Sequence, residues 1–192
     1  MRTLTALTSA DIDNFRIIDE EGSPDLLNEL IGGEIVVRGP MAGRACRIWA
    51  EISNQIMLRS AGRALVSART GLATPHGFFI PDMTVVDQPG FWCGRPSWGP
   101  PDGIAMLLEI TASYRDTDRV HKRLAYAAAG IPLYLLIDRN HRESVLFSQP
   151  DVEAQDYRAD IRVPFGSDLE LPAPFSFTLT DFAPMGPRPR EL

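Results

Sequence analysis

The stretch Ile104-Ala105-Met106-Leu107-Leu108-Glu109-Ile110 does most to limit what this chain can become. A nearly unbroken apolar run fits a central strand covered on both faces, because a strand with one wet face alternates instead. Other elements must therefore pack on each side of it. The run also carries one carboxylate, Glu109. Buried charge is costly unless it is paired, hydrogen-bonded or bound to a metal. The alternative is a residue at the strand end, already in water.

The rest of the chain supplies covering elements. Thr8 to Ile18 fits a short helix with Ser9 as its cap. Leu26 to Ile31 and Glu34 to Arg38 are β-prone runs joined by Gly32-Gly33, a pair that accepts positive φ at both turn positions and so fits a hairpin. From Met41 to Ser60, Ala45, Ile48, Trp49, Ile52 and Ile56 recur at steps of three and four, forming one helical stripe. Ala64 to Ala68 and Gly77 to Asp87 fit strands, the second interrupted by Pro81. Gln88 to Asp102, rich in Gly, Pro and Trp, fits a long loop.

Asp116 to Ala129 is the clearest helix. Val120, Leu124 and Ala127 or Ala128 face inward, Asp116 or Thr117 caps the start, and Gly130 with Pro132 closes the end. Leu133 to Asp138, Glu143 to Phe147 and Arg158 to Val163 follow as strands, and Leu169 to Phe182 fits one edge strand. The expected architecture is α/β or α+β, a mixed sheet flanked by helices. Residues 1–183 are expected to form a single domain and 184–192 a loose Pro-rich tail.

A chain of 192 residues buries enough surface to fold without staples, and its 44% hydrophobic and 23% charged content is ordinary for a globular protein. Cys46 and Cys93 are far apart, with no partner at zinc-ligand spacing. No stretch reaches the ~20 apolar residues of a membrane span, so a cytoplasmic protein with no membrane partner is the expectation. The net charge of −6 argues against a generally basic nucleic-acid coat. It leaves a nuclease open, because carboxylates that hold a divalent ion are themselves acidic.

Asp82, after Pro81, stands at a strand boundary like Glu109. Two carboxylates at neighbouring strand ends suit a hard divalent cation such as magnesium, which takes oxygen ligands and keeps waters for a substrate phosphate. Of the 19 basic residues only Lys122 is a lysine, on the helix that follows Glu109. Asp118 lies four positions earlier, so a surface i,i+4 ion pair accounts for it as well as a catalytic ammonium does.

The order Glu34-Ile35-Val36-Val37, Pro81-Asp82-Met83-Thr84-Val85-Val86, Leu108-Glu109-Ile110-Thr111, Asp118 to Lys122, Tyr126 and Gly130-Ile131-Pro132-Leu133-Tyr134 resembles the Uma family of putative restriction endonucleases, within the PD-(D/E)XK nuclease superfamily. The similarity runs from about Leu26 to Asp138. It implies a restriction-endonuclease-like core and cleavage of DNA phosphodiester bonds with magnesium, or manganese in its place. The resemblance makes Asp82 and Glu109 the metal-binding acids, with the Ile110 carbonyl as a further ligand. The superfamily's usual lysine position holds Thr111, and the family's helix lysine matches Lys122. Glu34 matches an additional acid that orders a metal-bound water; an exposed hairpin charge is its other reading.

Two departures stand out. Thr111-Ala112-Ser113 replaces a common Ser-Pro-Ser, and Met41 to Arg47 lacks the histidine often found at the start of the long helix. Arg115, Arg119 and Arg123 either grip DNA phosphates or line a solvated helix face. Trp92 and Trp98 either stack on unpaired bases or fold onto the core. His76, His121 and His141 show no metal partner in the sequence. The resemblance leaves room for a homodimer. A catalytically inactive nuclease fold that binds nucleic acid or protein is the competing reading.

Overall fold

The computed structural model describes residues 4–23, 26–41, 43–87, 98–111 and 117–182. Trp92, Cys93, Ala112, Ser113, Arg115, Asp116 and the Pro-rich tail lie outside them.

Helix α1 (Ser9–Glu21) starts one residue after a capping box. The Asp11 amide donates to Thr8 Oγ1 at 3.2 Å, and the Thr8 amide donates to the Asp11 carboxylate at 2.8 Å. The cap is thus Thr8 rather than Ser9. Strands β1 (Leu27–Ile31) and β2 (Glu34–Arg38) form the expected hairpin, with Gly32 at φ +61° and Gly33 at φ +83°. Helix α2 (Arg44–Arg59) buries Ala45, Ile48, Ile52 and Ile56 of the stripe read from the sequence, together with Ser53, while Trp49 is half-buried.

Strands β3 (Leu65–Ser67), β4 (Gly71–Thr74), β5 (Gly77–Phe79) and β6 (Met83–Val86) follow. The strand expected across Gly77 to Asp87 is thus two, and the Ile80-Pro81-Asp82 break carries the chain from one sheet to another. After β7 (Trp98–Gly99), β8 (Ile104–Ile110) is buried along its whole length. A π-helical turn (Thr117–Lys122) leads into α3 (Arg123–Ala128), then β9 (Leu133–Asp138), β10 (Glu143–Asp151), β11 (Asp156–Pro164), β12 (Leu169–Leu171) and β13 (Phe177–Leu179).

Five strands form a sheet in the order β2-β1-β5-β4-β7, and six form a mixed sheet in the order β11-β10-β9-β8-β6-β3. In the second sheet only β8 and β9 are parallel, and the helical segment between them makes the crossover. A Schellman closure ends α3: the Ile131 amide donates to the Tyr126 carbonyl at 3.0 Å, and the Gly130 amide to Ala127 at 2.9 Å, with Gly130 at φ +72°.

Alternation along β8 divides the core. Met106, Leu108 and Ile110 pack with α2 and with Leu169, Leu171, Leu179 and Phe182. Leu107 faces Tyr126 and Tyr134, together with Phe79 and Leu72 from the first sheet. The segment expected as one edge strand is a separate hairpin, β12 with β13, bound to α2 where Gln55 donates to the Thr180 carbonyl at 2.6 Å and accepts from its amide at 2.9 Å. That pairing spans 125 residues of sequence, so no local pattern announces it.

Candidate active site

Strand register brings the two predicted acids together. In the antiparallel pair β6–β8, Met83 lies opposite Leu108, so one step further Asp82 lies opposite Glu109 on the same face. That face is the Leu107 face, toward α3 and the five-stranded sheet. Both acids are buried, Glu109 completely. Each is held in place. Asp82 Oδ2 accepts from the Ile110 amide at 2.8 Å, and the Asp82 carbonyl accepts from the Trp49 indole of α2 at 2.9 Å. Glu109 Oε1 accepts from the Tyr126 hydroxyl at 2.7 Å and from Lys122 at 2.8 Å.

Lys122 is fully buried, not a surface partner of Asp118. Its ammonium lies 2.8 Å from Glu109 Oε1 and 2.8 Å from Glu29 Oε1, against 3.9 Å from Asp118. Lys122 is the last residue of the π-helical turn, where i→i+5 bonding replaces the α-helical pattern.

Two members of the cluster carry no motif. Glu29, on β1, is fully buried, accepts from the Ile80 amide at 2.7 Å and joins β1 to the break before Asp82. Arg38, on β2, places Nη2 2.8 Å from Asp82 Oδ1, and Nη1 3.3 Å from Glu29 Oε2 and 3.6 Å from Glu109 Oε2. Glu29 faces Val36 across the hairpin, and Arg38 is two residues beyond Val36, the diagonal position on the same face.

Four acids (Glu29, Asp82, Glu109 and Asp118) thus surround two cations, Arg38 and Lys122. Burial pushes the Glu109 carboxyl up to about 8; Lys122 pulls against the rise and Asp82 adds to it. Burial works against the charge of Lys122, but Glu109 and Glu29 outweigh it and hold its pKa above the ordinary value. Glu29 is held low by Lys122 and Arg38, again against its burial. One atom is left over. Glu109 Oε2 is buried and has no hydrogen-bond partner.

The cluster opens into a cleft of about 630 Å³, bordered by Arg38, Asp82 and Ile110 and walled by Trp49, Arg69 and Arg139. Thr111, at the superfamily's usual lysine position, serves the frame: its hydroxyl accepts from the Arg139 amide at 2.9 Å, and its amide donates to Ile137 at 3.1 Å.

Comparison with known proteins bears on the family and the fold. The family model Uma2, described as "Putative restriction endonuclease", matches residues 13–182. The chain belongs to the Uma2 family. The solved structure of a putative nuclease of the DUF820 group from Anabaena variabilis shares the fold, with a TM-score of 0.63 at 16% identity, over 80% of this chain and 87% of that one. No curated protein matches significantly.

The remaining expectations divide within this Uma2 chain. Glu34 is exposed at the Gly-Gly turn, opposite Ile31. It lies four residues from Arg38, roughly 13 Å along an extended strand, and Glu29 takes the place in the cluster. Arg119 chelates Asp138 at 2.5 and 2.6 Å, and Arg123 pairs with Asp156 at 3.1 Å above the Phe147 ring. Both line a second cavity, away from the Asp82 cleft. Trp98 is half-buried against the core, edge-on to Phe15 and Phe78, with its indole donating to Asp19 at 2.8 Å. No described helix is long and apolar enough to cross a membrane.

Among the described residues, Asp138, His141 and Glu143 are the one trio with ligand atoms within 4.8 Å of one another. Here Asp138 is saturated. Besides Arg119 it accepts from the Asn140 and His141 amides at 3.0 and 3.1 Å, and its Oδ2 lies 2.8 Å from His141 Nδ1.

Proposed function

We propose that the chain is a divalent-metal-dependent endonuclease that hydrolyses DNA phosphodiester bonds at the Asp82–Glu109 cluster. The observation that carries this reading is Glu109 Oε2: a buried carboxylate oxygen without a hydrogen bond, beside an Asp82 oxygen served by the same guanidinium. Two carboxylates already sharing one cation position fit a magnesium or manganese ion, which prefers oxygen ligands. Asp82 and Glu109 would hold it, with the Ile110 carbonyl as a candidate third ligand. Such an ion supplies Lewis acidity toward the scissile phosphate and lowers the pKa of an attacking water.

The chain's own residues do the rest. Lys122 and Tyr126 fix Glu109 Oε1, so that Oε2, which has no hydrogen bond, is the oxygen left for the ion. Glu29 shares the Lys122 ammonium and anchors it from the other sheet. Lys122, being fully buried, acts by positioning these acids and restraining their charge. Arg69 and Arg139 on the cleft wall stand where backbone phosphates approach, a role better placed there than at Arg119 or Arg123.

The test is incubation of supercoiled plasmid and single-stranded DNA with magnesium or manganese, against chelator. Wild type is expected to cut, and Asp82→Ala and Lys122→Ala to fail. Equal cutting by both variants, or none by wild type with either metal, refutes the reading.

A further inference from the structure

We propose that Arg38 is a resident counter-cation in the position the divalent ion takes, so that the ion binds only as the guanidinium swings out into the cleft. This rests on the metal reading above and concerns how that site is gated.

The contacts are those of a stand-in. One guanidinium serves three carboxylates from three strands or strand ends: Asp82 at 2.8 Å, Glu29 at 3.3 Å and Glu109 at 3.6 Å. Nη1 also reaches the Ile80 carbonyl at 3.4 Å. The three contacts around Nη1 are long, and the one to Glu109 leaves Oε2 without a hydrogen bond. A planar cation with N···O distances near 2.8 Å holds acids further apart than magnesium, whose oxygens sit at about 2.0–2.1 Å.

The path outward is also present. Arg38 is the one cluster cation that is partly exposed, at 26% of its side chain, whereas Lys122 is fully enclosed. It borders the cleft together with Gly39, Pro40 and Met41, so rotation about its own side-chain bonds carries the guanidinium into that space. Electrostatics favours the exchange. Four carboxyl groups face two single cations, and a doubly charged ion in place of a singly charged one attracts their carboxylate forms more strongly.

The experiment is manganese titration by calorimetry, with Trp49 fluorescence as a second readout, on wild type, Arg38→Gln, Arg38→Lys and Asp82→Asn. Arg38→Gln is expected to bind manganese at least about tenfold more tightly, equal to about 1.4 kcal/mol. Arg38→Lys is expected to fall between, since a compact ammonium cannot span Asp82 and Glu109 together. If Arg38→Gln proves too unstable to titrate, Arg38→Lys decides alone. Unchanged or weaker affinity in the Arg38 variants, with binding abolished in Asp82→Asn, overturns the gating role and leaves the metal site standing. Binding unaffected by Asp82→Asn, or absent throughout, overturns the site and the gate together.

Discussion

Two charged clusters sit near the ends of the adjacent parallel strands β8 and β9, and they are built on opposite principles. Around Asp138 every oxygen is used: Arg119 grips both, and the turn amides of Asn140 and His141 close on Oδ1. Around Glu109 the acids outnumber the bases, and a fully buried oxygen is left without a hydrogen bond. The first arrangement is what a turn needs in order to stay folded. The second keeps an unmet demand for positive charge, which a folded protein tolerates where a ligand supplies it. Proximity of ligand atoms alone selects the Asp138 cluster, because Asp138, His141 and Glu143 are the tighter group.

The largest separation between the clusters is expected in catalysis. Glu109→Gln should lower metal-dependent DNA cutting by about 10² or more, about 2.7 kcal/mol of barrier, while Asp138→Asn should stay within about threefold of wild type, about 0.65 kcal/mol; single-turnover plasmid nicking measures both. A large loss at Asp138 would break the comparison.

Stability comes next. Lys122→Met leaves Glu29 and Glu109 facing each other without their shared cation and should cost about 3–5 kcal/mol in urea unfolding. Adding Glu109→Gln should recover part of that loss, a non-additivity expected of contacting groups. Asp138→Asn should cost less, about 1–3 kcal/mol, from impaired bonding at a buried acceptor.

The two acids should also respond to pH with opposite sign. Burial raises Asp138, but the bonds from Arg119 and His141 outweigh it and hold the carboxyl below its usual 3.8. Its contribution is therefore complete above that value and lost as acid takes the pH through its folded pKa. Glu109 is raised from 4.5 to about 8 by burial. In chelator the fold should thus lose stability as pH rises from 4.5 toward 8, and Glu109→Gln should flatten that slope. Denaturant midpoints across pH 2 to 9 would show both trends. A slope through 4.5–8 unchanged by Glu109→Gln would contradict the assignment.

The smallest effect is expected at Glu34. Glu34→Gln should change stability by less than about 0.5 kcal/mol and leave cutting unaltered, whereas Glu29→Gln should impair both. That contrast also marks the limit of the sequence. Asp82 and Glu109 stand out locally, because Pro81 breaks a strand and an acid interrupts an apolar run; Lys122 is open to two readings on position, and only the family resemblance joins it to the two acids. The hairpin, the α2 stripe and the Gly130 closure were legible because their causes are local.

Glu29 and Glu34 both precede apolar residues in the same hairpin, and local pattern cannot rank them. What separates them is position in the sheet: β1 has neighbours on both sides and β2 is an edge. Lys122 is buried at the end of a π-helical turn, in a stretch that the sequence pattern presents as part of an ordinary helix. Arg38 gained its role from acids up to 71 residues away in the chain, as one of eighteen arginines with nothing local to distinguish it. Trp98 was open to either reading until Phe15 and Phe78 enclosed it.

The most direct test of the central claim is where a metal goes. Crystals soaked in manganese and measured for anomalous scattering should show a peak between Asp82 and Glu109, with the Arg38 guanidinium displaced toward the cleft. A peak at Asp138, His141 and Glu143, with none beside Asp82 and Glu109, would contradict the account.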